Sequence, residues 1–462
     1  MRNGLQWRGR RARLRCDRVH GHGPTGSGFL MGTSRQSWPQ PAADHELHDS
    51  APTAGMIRRK PGDRPDWYSL DNRLISAGAG VSRGTARRHR QLSRQPKRSG
   101  TFKPRCRLGL RGMDTPKIRD GLSYDDVLIQ PQRSSVTSRS EVDLSVELAP
   151  DLELSLPITG AAMDTVTETD LAIALAEEGG LGVVHRFLPP AEQADMVGRV
   201  SDQGLQAAGS VGIADGFHAR AQALTDADAA AIVVDVAHGH MDRCLDVVSD
   251  LAGSFDRPLV AGNVATGQGA VDLARAGADC VKVGVGPGSH CTTRRVAGAG
   301  VPQLTAVLDA VEALADDDAD ASVIADGGIQ SSGGIAKALV AGADAVMLGG
   351  LLSGTAEAPG VVVDRDEGKY KISRGMASQE ANEERTDRDL EIGASEGVAG
   401  LTPYRGELSD VVGELAAGVR SGFSYCGGRT ISEARDGAVF VKVSPGAKER
   451  EGAHGGVLVR GN

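Results

Sequence analysis

"DCVKVGVGPGSHCTTR", residues 279–294, changes character halfway. Its opening is a short valine-rich run, and its remainder is glycine, proline and small hydroxyl residues around one cysteine. The first half reads as a buried strand and the second as the loop that leaves it. Seven other runs have the same shape: "LPITGAAMD" (156–164), "LGVVHR" (181–186), "AAGSVGI" (207–213), "AAIVVDVAHG" (230–239), "PLVAGNVAT" (258–266), "SVIADGGI" (322–329) and "AVMLGG" (345–350). Between them lie Ala/Leu-rich stretches of helical period, such as "ETDLAIALAEEGG" (168–180) and "GQGAVDLARAGA" (267–278), the latter with a glycine placed to end a helix. Nearly continuous apolar strands alternating with helices predict a parallel sheet buried on both faces. Eight such units are the count of a (β/α)8 TIM barrel; an open, doubly wound sheet is the alternative.

A barrel of this kind fixes where chemistry occurs, because its active sites lie at the C-terminal ends of the strands. Those ends here carry "MDT", "HR", "DVAHGH", "GNVAT", "GPGSHCTTR", "DGGI" and "LGG". Cys291 is therefore presented at the barrel mouth, in a glycine-rich loop (284–295) whose backbone can approach a ligand closely. That placement predicts a nucleophile, whereas Cys244 and Cys280 read as small buried hydrophobes. The loops after strands seven and eight, Asp326-Gly327-Gly328 and Gly349-Gly350, are where such barrels commonly hold a phosphate. The "HGH" at His238 and His240 lacks a partner at metal-ligand spacing and reads as a loop or cofactor contact.

Charge divides the 462 residues in two. Residues 1–112 carry 24 Lys+Arg against 7 Asp+Glu, together with all three tryptophans and no core periodicity; residues 113–462 carry 28 against 53. The first segment reads as a disordered basic tail or an over-extended start, with Met113 opening the patterned sequence. A basic arm for nucleic acid is the functional alternative for it. The acidic body argues against unaided binding to nucleic acid or anionic membrane, and suits a cytoplasm of high salt. The four cysteines of the body, including Cys426, show neither disulfide nor zinc spacing, consistent with a reducing, cytoplasmic setting.

"GLSYDDVL", "AAMDTVTE", "AGNVAT", "KVGVGPGSHCTTR", "PQLTAV", "ADGG", "RGM" and "SGFSYCGG" follow one another between about Gly121 and Val443. In this order they resemble the IMP dehydrogenase and GMP reductase family of purine nucleotide enzymes. The resemblance implies that Cys291 attacks C2 of the purine, forming a covalent intermediate, with Thr293 handling a proton there. It implies that Asp326 holds the ribose hydroxyls, that Ser289 with Gly328, Gly349 and Gly350 holds the phosphate, that Gly375, Met376 and Ala377 hold the base, and that Gly327 is among the substrate-binding residues. Ser138, Arg139, Arg186, Asp235, Val236, Ala237, Val285 and Gly286 would meet a nicotinamide cofactor. The carbonyls of Gly286, Gly288 and Cys291, beside Arg294, resemble the family's potassium site, and a homotetramer is the assembly implied. His290 stands where family members usually carry an aliphatic residue, and Ser373 where dehydrogenases usually carry a tyrosine.

The direction of reaction turns on the flap, residues 375–400. Dehydrogenases of the family hydrolyse their intermediate with an Arg-Tyr pair, but "GMASQEANEERTDRDLEIGASEG" has Arg385 and Arg388 and no tyrosine. It ends in the reductase-like "ASEG", which makes Glu396 the acid/base candidate, and no room exists between strands two and three for regulatory CBS modules. "SRSEVDL" around Ser138 and Arg139 also matches reductases, where the pair lies near the extra phosphate of NADPH. "MDTVTE", "HGH", "ADGGI" and "GTAEAPG" look instead like dehydrogenase. The expectation is a GMP reductase using NADPH and K+, with IMP dehydrogenase using NAD as the alternative. A catalytically silent nucleotide-binding protein is the reading of another class.

Overall fold

Along each predicted run, side chains two apart share a destination, because a strand has a period of two. In the computed structural model, which describes residues 118–384 and 394–450, all eight runs are strands. They are β1 (Ile158–Gly160), β2 (Leu181–Val184), β3 (Ala207–Val211), β4 (Ala231–Asp235), β5 (Leu259–Val264), β6 (Cys280–Val283), β7 (Ser322–Asp326) and β8 (Ala345–Leu348). Each pairs in parallel with its neighbour in sequence, and β8 returns to β1 with Met347 opposite Thr159. The sheet is thus a closed barrel, and the open-sheet alternative is excluded.

The two side-chain sets build two cores. Leu181, Val183, Ala231, Val233, Cys280, Ile324 and Met347 point inward and fill the barrel. Val184, Ile232, Val234, Val281, Val283 and Val323 point outward against the helices. A hairpin of Val146–Ala149 and Leu152–Leu154 plugs the N-terminal end, where the Cys280 thiol donates to the Leu148 carbonyl at 3.0 Å. Each fully buried aliphatic side chain of these layers contributes about 1.5–3 kcal/mol. The plug leaves only the C-terminal mouth open for chemistry.

The helices alternate as the pattern predicts: α1 (Thr169–Glu177), α2 (Pro190–Ser201), α3 (Phe217–Asp226), α4 (Asp242–Ser254), α5 (Gly267–Arg275), α6 (Gln303–Asp316), α7 (Ser332–Val340) and α8 (Leu408–Cys426). In α5, the Thr266 hydroxyl accepts from Gly269 N at 3.2 Å at the start, and Gly277 follows the end at φ +108°, as its sequence predicts. A single helix, α2, joins β2 to β3.

The alternation is broken between β8 and α8. There the chain forms a three-stranded antiparallel sheet of Val362–Arg365, Gly368–Arg374 and Ala399–Pro403, with a short helix, Gln379–Glu384, leading into the flap. Arg385 and Arg388 lie outside the described residues, as does the basic segment 1–112. Among the described residues, no helix is long and apolar enough to cross a membrane.

Candidate active site

The inward-facing parity of β4, β6 and β7 continues to the mouth as Asp235, Lys282 and Asp326. Lys282 is almost wholly buried, with its Nζ 2.7 Å from Asp235 Oδ1 and 3.0 Å from Asp326 Oδ2, and it also donates to Asn263 Oδ1. Asn263 completes the ring by donating to Asp326 Oδ2 at 2.8 Å and to the Gly284 carbonyl at 2.7 Å. Burial works against the lysine's charge, but the two carboxylates outweigh it and raise its pKa. The same contest holds Asp235 below the usual carboxylate range: burial favours its neutral form, and Lys282 prevails. Asp326 is thereby fixed in place where β7 opens into the Gly327-Gly328 loop.

The loop after β6 starts with a close approach. Gly284 has φ +152°, and a Cβ there would lie 2.0 Å from the Asp326 carbonyl, so glycine alone fits. Gln303 then ties the two strand ends together, donating to Val283 O at 2.7 Å and Asp326 O at 3.1 Å. Beyond it the chain turns, with Cys291 N donating to Gly288 O at 3.1 Å, into a short helix, Thr293–Val296. Cys291 is half-buried, whereas Cys244, Cys280 and Cys426 are buried. Burial pushes the Cys244 thiol up to about 11 and Cys280 well above its ordinary value, which keeps both protonated and inert.

The flap comes to this loop. Thr292 N donates to Glu396 O at 2.7 Å, Val398 N to His290 O at 3.0 Å, and Glu396 N to Ala377 O at 3.0 Å. These backbone bonds set a side-chain line: Cys291 Sγ is 3.2 Å from Thr293 Oγ1, which donates to Glu396 Oε2 at 2.7 Å. A thiol, a hydroxyl and a carboxylate in series can join nucleophilic attack to movement of one proton. On the other side of the flap, Arg374 grips Asp164 of the loop after β1, with Nε and Nη2 at 2.9 and 2.6 Å from Oδ2.

Two cavities open at the mouth, of about 730 and 300 Å³. Both are walled by Cys291, Thr293, Asp326, Met376 and Ala377, so a molecule in either has access to the thiol. The profile of the IMP dehydrogenase / GMP reductase domain matches residues 121–454. The chain belongs to this family. It is 33% identical to the inosine-5'-monophosphate dehydrogenase of Nitrosopumilus maritimus, over 71% of this chain and 97% of that protein. To the GMP reductase of Leishmania donovani it is 32% identical, over 73% of this chain and 98% of that protein. Its structure is similar to that of a cysteine-to-alanine variant of Trypanosoma brucei GMP reductase in complex with guanosine 5'-monophosphate. The TM-score is 0.70 at 32% identity, with 74% of this chain and 99% of that one covered. As a member of the family, the chain is an oxidoreductase of purine nucleotides.

The larger cavity collects every residue expected on the substrate side: Ser289, Asp326, Gly327, Gly328, Gly349, Gly350, Gly375, Met376 and Ala377. Of the expected cofactor residues, Arg186, Asp235, Val236, Ala237 and Gly286 line the smaller cavity. Val285 instead packs against the core and gives its carbonyl to Arg294 Nε at 3.3 Å. Ser138 and Arg139 begin a short 3-10 turn and line neither cavity; the Ser138 hydroxyl accepts from Ser140 N there. His240 pairs with Asp272 at 2.9 Å, and among the described residues no cluster of three acidic, histidine or cysteine side chains could hold a metal. Sequence reasoning missed Lys282, Asn263, Thr402 and Arg405. A lysine at an inward parity of an otherwise apolar strand was the available signal for the first.

Proposed function

We propose that this protein is a GMP reductase, converting GMP to IMP and ammonia with NADPH. The observation that carries this reading is the 2.7 Å contact from Thr293 to Glu396, a carboxylate delivered from the flap to the neighbour of the thiol. The Cys291 thiol passes its proton through the Thr293 hydroxyl to Glu396 as the sulfur adds to C2 of the purine, and the C2–N bond breaks as that proton returns through Thr293 to the departing ammonia; Cys291 takes a proton from solvent at the end of the cycle. The nicotinamide, when bound, supplies a hydride to C2. The C2–S bond then breaks, returning the electron pair to Cys291 and releasing IMP. One proton and one hydride enter and one ammonia leaves, so the step balances.

The smaller cavity fits such a cofactor: it abuts Cys291, and Arg186 lies 5.3 Å from the Phe187 ring centroid in its wall, offering a flat face and a cation for an amide-bearing ring. Asp235 and Ala237 would meet the ring, and Ser138 with Arg139 the extra phosphate if an adenosine end reaches them. Potassium would be held by the carbonyls of Gly286, Gly288 and Cys291, a neutral oxygen set suited to it. In the larger cavity, Ser289 with the glycines after β7 and β8 would take the phosphate. A homotetramer in the cytoplasm completes the reading.

A dehydrogenase must hydrolyse the same intermediate instead, and β2–α2–β3 carries no inserted module of the kind dehydrogenases usually have. The deciding assay follows NADPH absorbance with GMP and potassium at high salt, and in parallel NADH formation from IMP and NAD. Consumption of NADPH with ammonia release supports the reductase. Efficient formation of XMP from IMP and NAD, with no NADPH consumed on GMP, overturns it in favour of the dehydrogenase.

A further inference from the structure

His290 and Ser373, the two residues singled out in the sequence as unlike those that the resemblance leads one to expect, are brought together by the fold. Ser373, on the middle strand of the flap sheet, is fully buried, and its Oγ is 2.9 Å from His290 Nε2 and 2.6 Å from Thr402 Oγ1. On its other side the imidazole meets Ser289, with Nδ1 3.1 Å from Oγ. Ser289, in the loop after β6, in turn packs against the loop after β8, where a Cβ on Gly350 would come 2.8 Å from its hydroxyl. Four side chains, Thr402, Ser373, His290 and Ser289, thus form one continuous line that ends at the glycine loop of the larger cavity.

A neutral imidazole donates from one nitrogen and accepts at the other, so the line has two directions. If Nε2 carries the proton, it donates to Ser373, and Nδ1 draws the Ser289 proton toward the histidine. If Nδ1 carries it, Thr402 donates to Ser373, Ser373 to Nε2, and Nδ1 to Ser289, leaving the Ser289 proton aimed away. A phosphate dianion accepts only, and so favours the second arrangement. The surroundings favour the neutral form of the ring. Burial lowers its pKa, and a Cβ on Gly375 would lie 3.3 Å from the His290 Cβ, so the flap backbone packs directly on it. The contacting hydroxyls are neutral; Arg405 and Glu396 line the same cavity without a hydrogen bond to the ring.

We propose that His290 is a positioning residue for the substrate's phosphate: as the Nδ1–H tautomer, it accepts from Ser373 and donates to Ser289, committing the Ser289 hydroxyl to a phosphate oxygen. The proposal rests on the nucleotide reading of the larger cavity but not on the direction of reaction, because GMP and IMP carry the same phosphate.

The test uses the full chain and equilibrium binding of GMP and of guanosine, which lacks the phosphate. His290→Leu removes the donor at similar volume, and about a tenfold weaker affinity for GMP is expected, with guanosine affinity and the rate at saturating substrate within twofold of the parent. His290→Asn, whose amide nitrogen sits near the place of Nδ1, is expected to recover GMP affinity. A proton–nitrogen correlation spectrum of the histidines, with the His290 signals identified by their loss in His290→Asn, is expected to show Nδ1–H when GMP is bound. GMP affinity unchanged in His290→Leu, an Nε2–H tautomer in the GMP complex, or equal loss for GMP and guanosine would each overturn the proposal. If the parent itself binds neither GMP nor IMP, the nucleotide reading fails first, which is a different result.

Discussion

Cys291 and Glu396 reach the same hydroxyl, that of Thr293, from two regions of unlike construction. Cys291 stands on a loop braced by the barrel: Gly284 against Asp326, Gln303 across two strand ends, and Lys282 between two carboxylates below. Glu396 stands on a flap tied to the barrel loops by a few backbone bonds, the Arg374–Asp164 pair, and the contacts of Ser373 with His290 and of Arg374 N with Thr165. The barrel therefore holds the thiol in place and the flap brings the carboxylate to it; on the reading proposed above, these are the nucleophile and the far end of its proton path. Dividing a site in this way lets loop variation change the fate of an intermediate while its formation stays the same.

If that division is right, losses on the barrel side and the flap side will differ in kind. Replacing the proposed nucleophile is expected to be the most severe change. Cys291→Ala is expected to keep nucleotide binding and lose all measurable turnover, because among the described residues no other thiol lines the cavities. Iodoacetamide should label Cys291 in the parent, and bound GMP should protect it. Turnover near the parental rate in the alanine variant would rule out the covalent route. Glu396→Gln comes next, with a drop of about 10²–10⁴ in turnover, the range that a positioned acid or base contributes. Since the thiol is untouched, its alkylation rate should stay close to the parent's. A large fall in alkylation as well would show that the flap carboxylate also activates the nucleophile, and the two regions would no longer be separable.

Most of the barrel was legible in the sequence, because a strand buried on both faces between amphipathic helices leaves a periodic trace. All eight runs became strands, and the residues at their ends became the cavity wall. What the periodicity hid was anything that depends on register between strands. Lys282 looked like one polar interruption in "CVKV"; only ring closure puts it between Asp235 and Asp326. The sheet that carries the flap was hidden for another reason: its seven-residue middle strand buries polar Lys371 and Ser373 and exposes apolar Ile372, so hydrophobic alternation points the wrong way there. Glu396 and Ser373 were found there through resemblance, and the pairing of Ser373 with His290 through coordinates alone.

Lys282→Met tests the barrel side by stability rather than rate. It leaves two carboxylates facing each other without their cation, and a loss of about 3–5 kcal/mol in urea unfolding is expected. The pH dependence follows from the directions of the shifts. Lys282 is raised, so its contribution is complete below the unfolded lysine value of about 10.4 and is lost as pH rises through its folded value. Asp235 is lowered, so its contribution is complete above the unfolded value of about 3.9 and is lost as pH falls through its folded value. The gap between parent and variant should be level from about pH 5 to about pH 9 and narrow on both sides. A gap under about 1 kcal/mol at neutral pH would mean that the mouth is braced by something else.

The mildest change, Arg374→Lys, tests the flap's tie to the barrel. The guanidinium presents two nitrogens to one oxygen of Asp164, while the neighbouring backbone reaches Thr165, with Arg374 N donating to its hydroxyl at 3.2 Å. A lysine keeps the charge and can offer a single point contact, but it cannot reproduce the fork. Both partners are largely shielded from water, so the lost charged hydrogen bond is expected to cost about 1.5 kcal/mol of docking, while the backbone bonds that seat Glu396 remain. That cost belongs to flap closure and not to chemistry at C2. The KM for GMP should therefore rise by up to about tenfold while kcat falls less than threefold, and the unfolding midpoint should move little, because the barrel core is untouched. Should kcat fall as far as it does in Glu396→Gln, the Asp164 pair would be setting the position of the proton path itself, and barrel and flap would act as one rigid unit.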